Sequence, residues 1–244
     1  MQKIGLACTK GGVGKTSIAI NLAAGLAAKG KRCLIIDCDA QGNVQNCFNV
    51  ASEKTLADLL KPGGTCDIVN VRPGIDIINS GKKKLQRVEI SVSGERFREK
   101  LLSKRLQDVN SYDYIFCDLS PTITEINTMA LYYVDKIIIP VSMSFYAVSG
   151  AVQILDEVEE IGSESPIELM GIVCNMYDQR TVMSNMIVQA VREQWQEKVF
   201  KTVIRKNVAI EESPSQHKTI FEHDPGSHGA EDFLNLTNEV LSYG

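Results

Sequence analysis

The 244-residue sequence has no apolar run approaching the ~18 residues that a membrane span requires. Its start, Met1–Thr9, is a short apolar, strand-like stretch without a basic n-region or a small-residue cleavage site, so it does not read as a signal peptide. No two of its seven cysteines (Cys8, Cys33, Cys38, Cys47, Cys66, Cys117 and Cys174) are in C-x-x-C spacing, and their number is odd. Several lie within apolar runs, where free cysteine behaves as a small hydrophobe. A disulfide framework and a structural zinc are therefore not expected, and a reducing, cytoplasmic compartment is. There is also no internal repeat, low-complexity tract or interdomain linker. That uniformity and the length suggest a single domain over residues 1–244, large enough to bury its own core.

Basic excess is missing as well. The net charge is −4, which argues against a chain that is a nucleic-acid binder over its whole surface. The charge is nevertheless segregated. Lys82–Arg105 holds nine Lys/Arg against three Asp/Glu, whereas Asn207–Gly244 holds one Lys against seven Asp/Glu.

Short apolar runs alternate with helical patterns along the chain. Strands are expected at Lys3–Cys8, Arg32–Asp37, Ile75–Asn79, Tyr112–Asp118, Lys136–Val141, Leu169–Asn175 and Phe200–Ile204. Helices are expected at Gly14–Lys29, Thr55–Leu60, Glu95–Gln107, from Pro121 through Tyr133, and at Ala147–Ile161, Thr181–Glu197 and Ala230–Leu241. Fully apolar strands between amphipathic helices imply an α/β fold, with a mostly parallel sheet covered on both faces. Ligands in such sheets bind beyond the C-terminal ends of the strands. The residues with chemistry to offer cluster there: Lys10–Thr16, Asp37–Gln41, Asp118 and Asn175.

Thr9-Lys10-Gly11-Gly12-Val13-Gly14-Lys15-Thr16 follows the first strand and opens a helix. Its glycines allow backbone N–H groups to turn inward around phosphate oxygens, and the helix N-terminus adds partial positive charge. Lys15 is placed to meet the β- and γ-phosphates of a nucleotide, and Thr16 to put its hydroxyl on Mg²⁺. Gly11, Gly12, Val13, Gly14 and Ser17 complete the candidate loop. Ile115-Phe116-Cys117-Asp118 is an apolar strand ending in a carboxylate that can hold Mg²⁺, as in a Walker B motif.

The strict G-x-x-x-x-G-K-[ST] pattern requires glycine where Thr9 stands. That departure, together with Lys10, resembles the deviant Walker A loop of the ParA/MinD/nitrogenase-iron-protein superfamily of P-loop NTPases. The resemblance implies ATP/ADP and Mg²⁺ as ligands, an ATP-dependent homodimer, and a Lys10 that reaches across it to the other subunit's nucleotide. Asp37-Cys38-Asp39-Ala40-Gln41-Gly42-Asn43 resembles the family's D-x-D-P-Q-G-N segment, with Ala40 in place of proline. Asp39 thereby takes the role of orienting the attacking water beside the metal. Asn175 matches the family's adenine-contacting Asn. Arg205-Lys206-Asn207 aligns with its P-R-N over the base, Arg205 replacing the proline. After Asp118 the family continues T/C-P-P, where this chain has Leu119-Ser120-Pro121.

Segments far from the loop resemble the ParA/Soj branch: Met176–Thr181, Asn207–Ser215 and His223–Glu231. That branch implies non-specific DNA binding in the ATP state and a ParB-like activator of hydrolysis. Arg180, Lys201, Lys206 and the Lys82–Arg105 segment are the candidate DNA contacts. Ala209, Gly226 and His228 stand where the branch often has basic residues. Because the chain starts at the loop strand, no operator-binding extension is expected. A MinD-like membrane cycle would need a basic amphipathic C-terminal helix, and Ala230–Gly244 has no Lys or Arg, so no membrane partner is expected. An iron–sulfur reductase subunit is disfavoured by the cysteine placement. A positioning ATPase for other cargo and an ATP-dependent amidoligase remain as alternatives.

Overall fold

Runs of Ile, Val, Leu and Cys that are apolar at every position need cover on two sides. In the computed structural model they receive it. The structure describes residues 1–92, 94, 96–122, 124–162 and 166–243. Its strands are β1 (Gln2–Leu6), β2 (Cys33–Asp37), β3 (Val69–Arg72), β4 (Ile75–Ile78), β5 (Tyr114–Asp118), β6 (Lys136–Ser142), β7 (Glu168–Tyr177) and β8 (Val199–Arg205). The first helices are α1 (Lys15–Ala28), α2 (Asn43–Phe48), α3 (Leu56–Leu59), α4 (Lys83–Val92), α5 (Leu101–Arg105) and α6 (Glu125–Leu131). They are followed by α7 (Phe145–Gly162), α8 (Val182–Trp195), α9 (Val208–Glu212), α10 (Ile220–His223) and α11 (His228–Ser242).

One eight-stranded sheet has the order β3-β4-β2-β5-β1-β6-β7-β8. All neighbours are parallel except the β3–β4 hairpin at one edge. Alternate residues of each strand feed two cores. Leu34, Ile36, Ile115 and Cys117 point to the face covered by α4–α8. Cys33, Ile35, Tyr114 and Phe116 point to the face covered by α1, α2, α10 and α11. Gly25 of α1 makes close approach of α11 possible, because a Cβ there would lie 2.2 Å from Thr237 Oγ1.

β1 is the first strand and lies between β5 and β6, where the winding direction changes. Its end is flush with its neighbours: Leu6 pairs with Asp118, and Asp118 with Asp37. A crevice at this reversal is where a parallel sheet offers a ligand site.

Two expectations are corrected. Of the helix expected at Glu95–Gln107, Glu95 lies outside the described residues. The rest is a 3₁₀ turn at Arg98–Lys100 and the five-residue α5, after Phe97 turns the backbone left-handed (φ 63°). The longer helix there is α4, which buries Leu85, Val88 and Val92 at i, i+3, i+7 spacing. Its two lysines and an arginine, preceded by Lys82, masked that stripe in the sequence. The edge strand β3 was also not expected, being short and only half-buried. All seven cysteines are free thiols, and six are buried. Burial pushes the Cys33 thiol up to about 12, and the Cys47 and Cys174 thiols up to about 11, so these are poor nucleophiles.

Candidate functional site

The loop between β1 and α1 takes its shape from its glycines. Gly12 and Gly14 sit at φ 74° and 93°, in the left-handed region that favours glycine. At Gly14 a Cβ would also lie 2.2 Å from Asn175 Nδ2. Lys15 arches back over the loop, and its Nζ donates to the carbonyls of Cys8 at 3.1 Å and Lys10 at 3.4 Å. It is buried at 7% exposure, and burial lowers its pKa against the opposing pull of Asp118, Cys8 and Asp39. A buried ammonium whose hydrogen bonds go to carbonyls gains strongly when an anion arrives.

Thr16 Oγ1 donates to Asp118 Oδ2 at 2.6 Å. Asp118 Oδ1 is buried and has no hydrogen-bond partner. Burial pushes this carboxyl up to about 7, Thr16 and Lys15 working to lower it and Asp39 to raise it. An unpaired buried carboxylate oxygen beside a hydroxyl fits a hard cation, which would also satisfy the orphaned atom. Among the described residues no group of three or more His, Cys, Asp and Glu forms a closed metal cage. A cation here would therefore take its remaining oxygens from phosphate and water, which suits Mg²⁺.

Asp37 is fully buried, and its pKa is raised by burial and by Asp118. Its two oxygens accept the N–H groups of Asp39 at 3.1 Å and Val44 at 3.2 Å, which fixes the segment that carries Asp39. Asp39 Oδ1 accepts the Gln41 N–H at 2.8 Å. Its side chain faces both the main cleft and a small side pocket of about 100 Å³ shared with Gln86, Glu89 and Thr122.

The main cleft holds about 640 Å³, within the range of small-molecule sites. Gly11–Ser17 forms its floor. Asp39, Gln41, Asn43, Asn46 and Cys47 line one wall, and Pro121, Met176, Ile210, Ser213, Pro214, Ser215 and Lys218 line the rest. Lys15, Thr16 and Asp39 thus line one cleft, with Asp118 bound directly to Thr16.

Lys10 lies beside this group with its Nζ donating to Ser144 Oγ and 5.9 Å from the centre of the Tyr146 ring. It rests against its own chain.

Three residues expected at the base do not line the cleft. Asn175 braces the loop from below: its Nδ2 donates to the Val13 carbonyl at 2.7 Å, and its Oδ1 accepts the Met176 N–H at 2.9 Å. Asn207 caps α9 by accepting the Ala209 N–H at 2.8 Å. The Arg205 guanidinium is held by Asp232 and Glu231 of α11, each at 2.6 Å. The Asn175 amide, the Arg205 guanidinium and Asn207 Oδ1 are thus engaged by protein partners. The cleft is instead lined there by Met176, Ile210 and Ser213–Ser215. The resemblance of Asn207–Ser215 to the ParA/Soj branch was the signal for that wall, although it did not show which of its residues face inward.

The proposed DNA contacts divide. Arg180 and Lys206 line a second hollow of about 320 Å³. Arg180 is paired with Asp178 at 2.8 Å. Lys201 lies elsewhere on β8, where Glu239 accepts its backbone N–H at 2.8 Å. No described helix is long and apolar enough to cross a membrane.

Comparison with known proteins agrees with this geometry. Residues 1–170 match the family model described as an AAA domain. The chain is 35% identical to the chromosome-partitioning ATPase Soj of Thermus thermophilus, over 99% of this chain and 96% of that one. It is also 35% identical to the sporulation initiation inhibitor protein Soj of Bacillus subtilis, over 96% of each. Among solved structures, the Cyanothece McdA–ATP complex superposes with a TM-score of 0.86 at 19% identity, covering 99% of this chain and 96% of that one. Cobyrinic acid a,c-diamide synthase from Mycobacterium smegmatis, with a bound ATP analog and magnesium, gives 0.85 at 20% identity, covering 100% and 95%. These structural likenesses establish the shared fold, and the identities to the two Soj proteins establish the lineage. The chain belongs to the ParA/Soj family of partition ATPases.

Proposed function

We propose that residues 1–244 act as one cytoplasmic, Mg²⁺-dependent ATPase that cycles between monomer and ATP-bound homodimer. In the ATP state it binds DNA without sequence preference, and a ParB-like partner triggers hydrolysis and release. The observation that carries the reading is Asp118: a buried carboxylate with one oxygen on Thr16 and the other unpaired, next to a buried lysine whose hydrogen bonds go to carbonyls.

When bound, the nucleotide supplies the phosphoryl group, and Mg²⁺ spreads its developing charge. Lys15 exchanges the Cys8 and Lys10 carbonyls for phosphate oxygens. The N–H groups of Gly11–Thr16 hold the phosphates in place. Thr16 and Asp118 would hold the cation. Asp39, steadied by Gln41 and by the Asp37 anchor, aligns the attacking water and receives its proton. Lys10 leaves Ser144 and reaches the phosphates of the second subunit, where its charge is worth most as negative charge builds on the transferred group. The names of the Soj relatives support partition as the cellular task.

The test is ATP turnover and retention on random-sequence duplex DNA, with ATP, ADP or no nucleotide, across a salt series. ATP-dependent retention that weakens with salt supports the reading. ATP-driven dimerisation without retention at low salt would remove its DNA arm.

A further inference from the structure

Cations on the two sides of the molecule differ in how far they are already satisfied. On the β8–α11 side each candidate is paired or adjoins acid. Arg180 is bound by Asp178, and Arg205 by Asp232 and Glu231. On the α4 side, Lys83, Lys84 and Arg87 are exposed, with Leu85, Val88 and Val92 buried beneath them. Among the described residues Asp58 is the one carboxylate that pairs with this group, and α4 itself carries one acid, Glu89. Asp58 takes Lys61 at 2.7 Å and Lys84 at 4.0 Å. The Lys61 backbone carbonyl in turn accepts from Arg105 at 2.7 Å, which brings α5 and its exposed Lys104 alongside. α4, the α3 end and α5 thus form one continuous cationic ridge. Partial burial works to raise the Asp58 pKa, but hydrogen bonds from Lys61 and Thr55 hold the carboxyl down at about 2.

The ridge begins at the nucleotide cleft. Gly81 and Lys82 have positive φ, 86° and 52°, and turn Lys82 back onto α2. Its Nζ donates at 2.9 Å to Oδ1 of Asn46, a residue of the cleft wall. Its Cε fills the space over Gly42, where a Cβ would lie 2.7 Å away. The ridge and the cleft therefore share α2.

We infer that the cationic ridge of Lys83, Lys84, Arg87, Lys61 and Lys104 is the surface that meets the phosphate backbone of duplex DNA. The inference rests on the DNA-binding arm of the proposed function and assigns its location. The chemistry favours a nucleic-acid duplex over a bilayer. Leu85, Val88 and Val92 of α4 are buried in the core, and Ile90, the one large apolar residue that α4 exposes, is too little apolar surface to insert among lipids. A polyphosphate needs only spaced charge, and ten residues of helix, ~15 Å long, run past about four phosphates of one strand.

The experiment uses the full chain with ATP and Mg²⁺, a random-sequence duplex and a salt series. The fourfold variant Lys61→Gln, Lys83→Gln, Arg87→Gln, Lys104→Gln is compared with Arg180→Gln, Lys206→Gln. The ridge variant is expected to bind at least tenfold more weakly. Its log–log salt slope should fall by ~0.9 for each cation that meets a phosphate. Basal ATPase and ATP-driven dimerisation should be unchanged, and the Arg180/Lys206 variant should keep most of its affinity. Wild-type affinity and slope in the ridge variant would overturn the location alone. A wild-type protein that dimerises but retains no duplex, or binds phosphatidylglycerol vesicles instead, would overturn the DNA arm and the ridge together.

Discussion

On the β5-β2-β4 side of β1, Asp37 and Asp118 are buried with raised pKa values and one orphaned oxygen, while the cations of α4 outnumber their acids. On the β6-β7-β8 side, Arg205 is held by two carboxylates, its pKa raised by Asp232 and Glu231, and Asp232 and Glu239 close the backbone N–H groups of the β8 edge. Both sides are charged, and among the described residues only the first holds a buried carboxylate oxygen of Asp or Glu without a hydrogen-bond partner. Uncompensated charge costs stability and is retained where a ligand completes it. The same contrast separates binding machinery from scaffold, and substitutions on the two sides should therefore act in opposite directions.

The largest expected effect is at Lys15. Lys15→Ala removes the only buried cation of the loop and should weaken ATP binding by more than ~100-fold, about 3 kcal/mol or more, in a nucleotide titration. Retained affinity would remove the phosphate-loop assignment.

Next comes the scaffold side. Asp232→Ala strips the 4%-exposed partner from Arg205 and leaves the Arg205 N–H unpaired. It should cost about 3 kcal/mol, read as a Tm lower by roughly 6–12 °C, with ATP affinity unaltered. A neutral effect would show that this network is not structural.

Asp118→Asn should do the reverse. It removes a carboxylate whose charge is disfavoured, so the nucleotide-free protein should gain up to about 1 kcal/mol, while the extra stabilisation that Mg²⁺ adds to ATP is lost. A destabilised variant that keeps its Mg²⁺ response would break the comparison.

The smallest effect concerns Asp58 on the ridge. Its folded pKa of about 2 lies below the ordinary value of 3.8, so its stabilisation is present above about pH 4 and is lost as pH falls through 2. Asp58→Asn, which also weakens the cap at Thr55, should lower stability by about 1 kcal/mol at pH 7 and by less near pH 2. An equal loss at both pH values would assign the effect to the cap alone.

The junction that carries Lys15, Thr16 and Asp118 is legible in the local pattern, and the side-chain directions of Asn175, Arg205 and Asn207 are not, for a physical reason. Lys15, Thr16 and Asp118 lie where strand, glycine loop and helix must meet, and local pattern fixes that junction. Parallel strands and two-sided cover followed from runs such as Leu34–Ile36 and Ile137–Ile139, which are fully buried. Asn175, Arg205 and Asn207 were placed by resemblance, but their side-chain directions depend on distant partners, Val13, Asp232 and Ala209. Pairing of that kind does not show in a one-dimensional pattern. α4 was hidden because its lysines dominate the local composition, and α5 was overextended because the turn at Phe97 interrupts an otherwise helical run.

Nucleotide-gated association is the claim on which the rest depends. The most direct measurement is the molar mass of the Asp39→Ala variant by light scattering, with Mg-ATP and with Mg-ADP, alone and combined with Lys10→Ala. The account predicts a long-lived dimer with Mg-ATP, a monomer with Mg-ADP, and loss of the dimer when Lys10 is also removed. A variant that binds ATP yet stays monomeric, or one that dimerises equally well without Lys10, would contradict it.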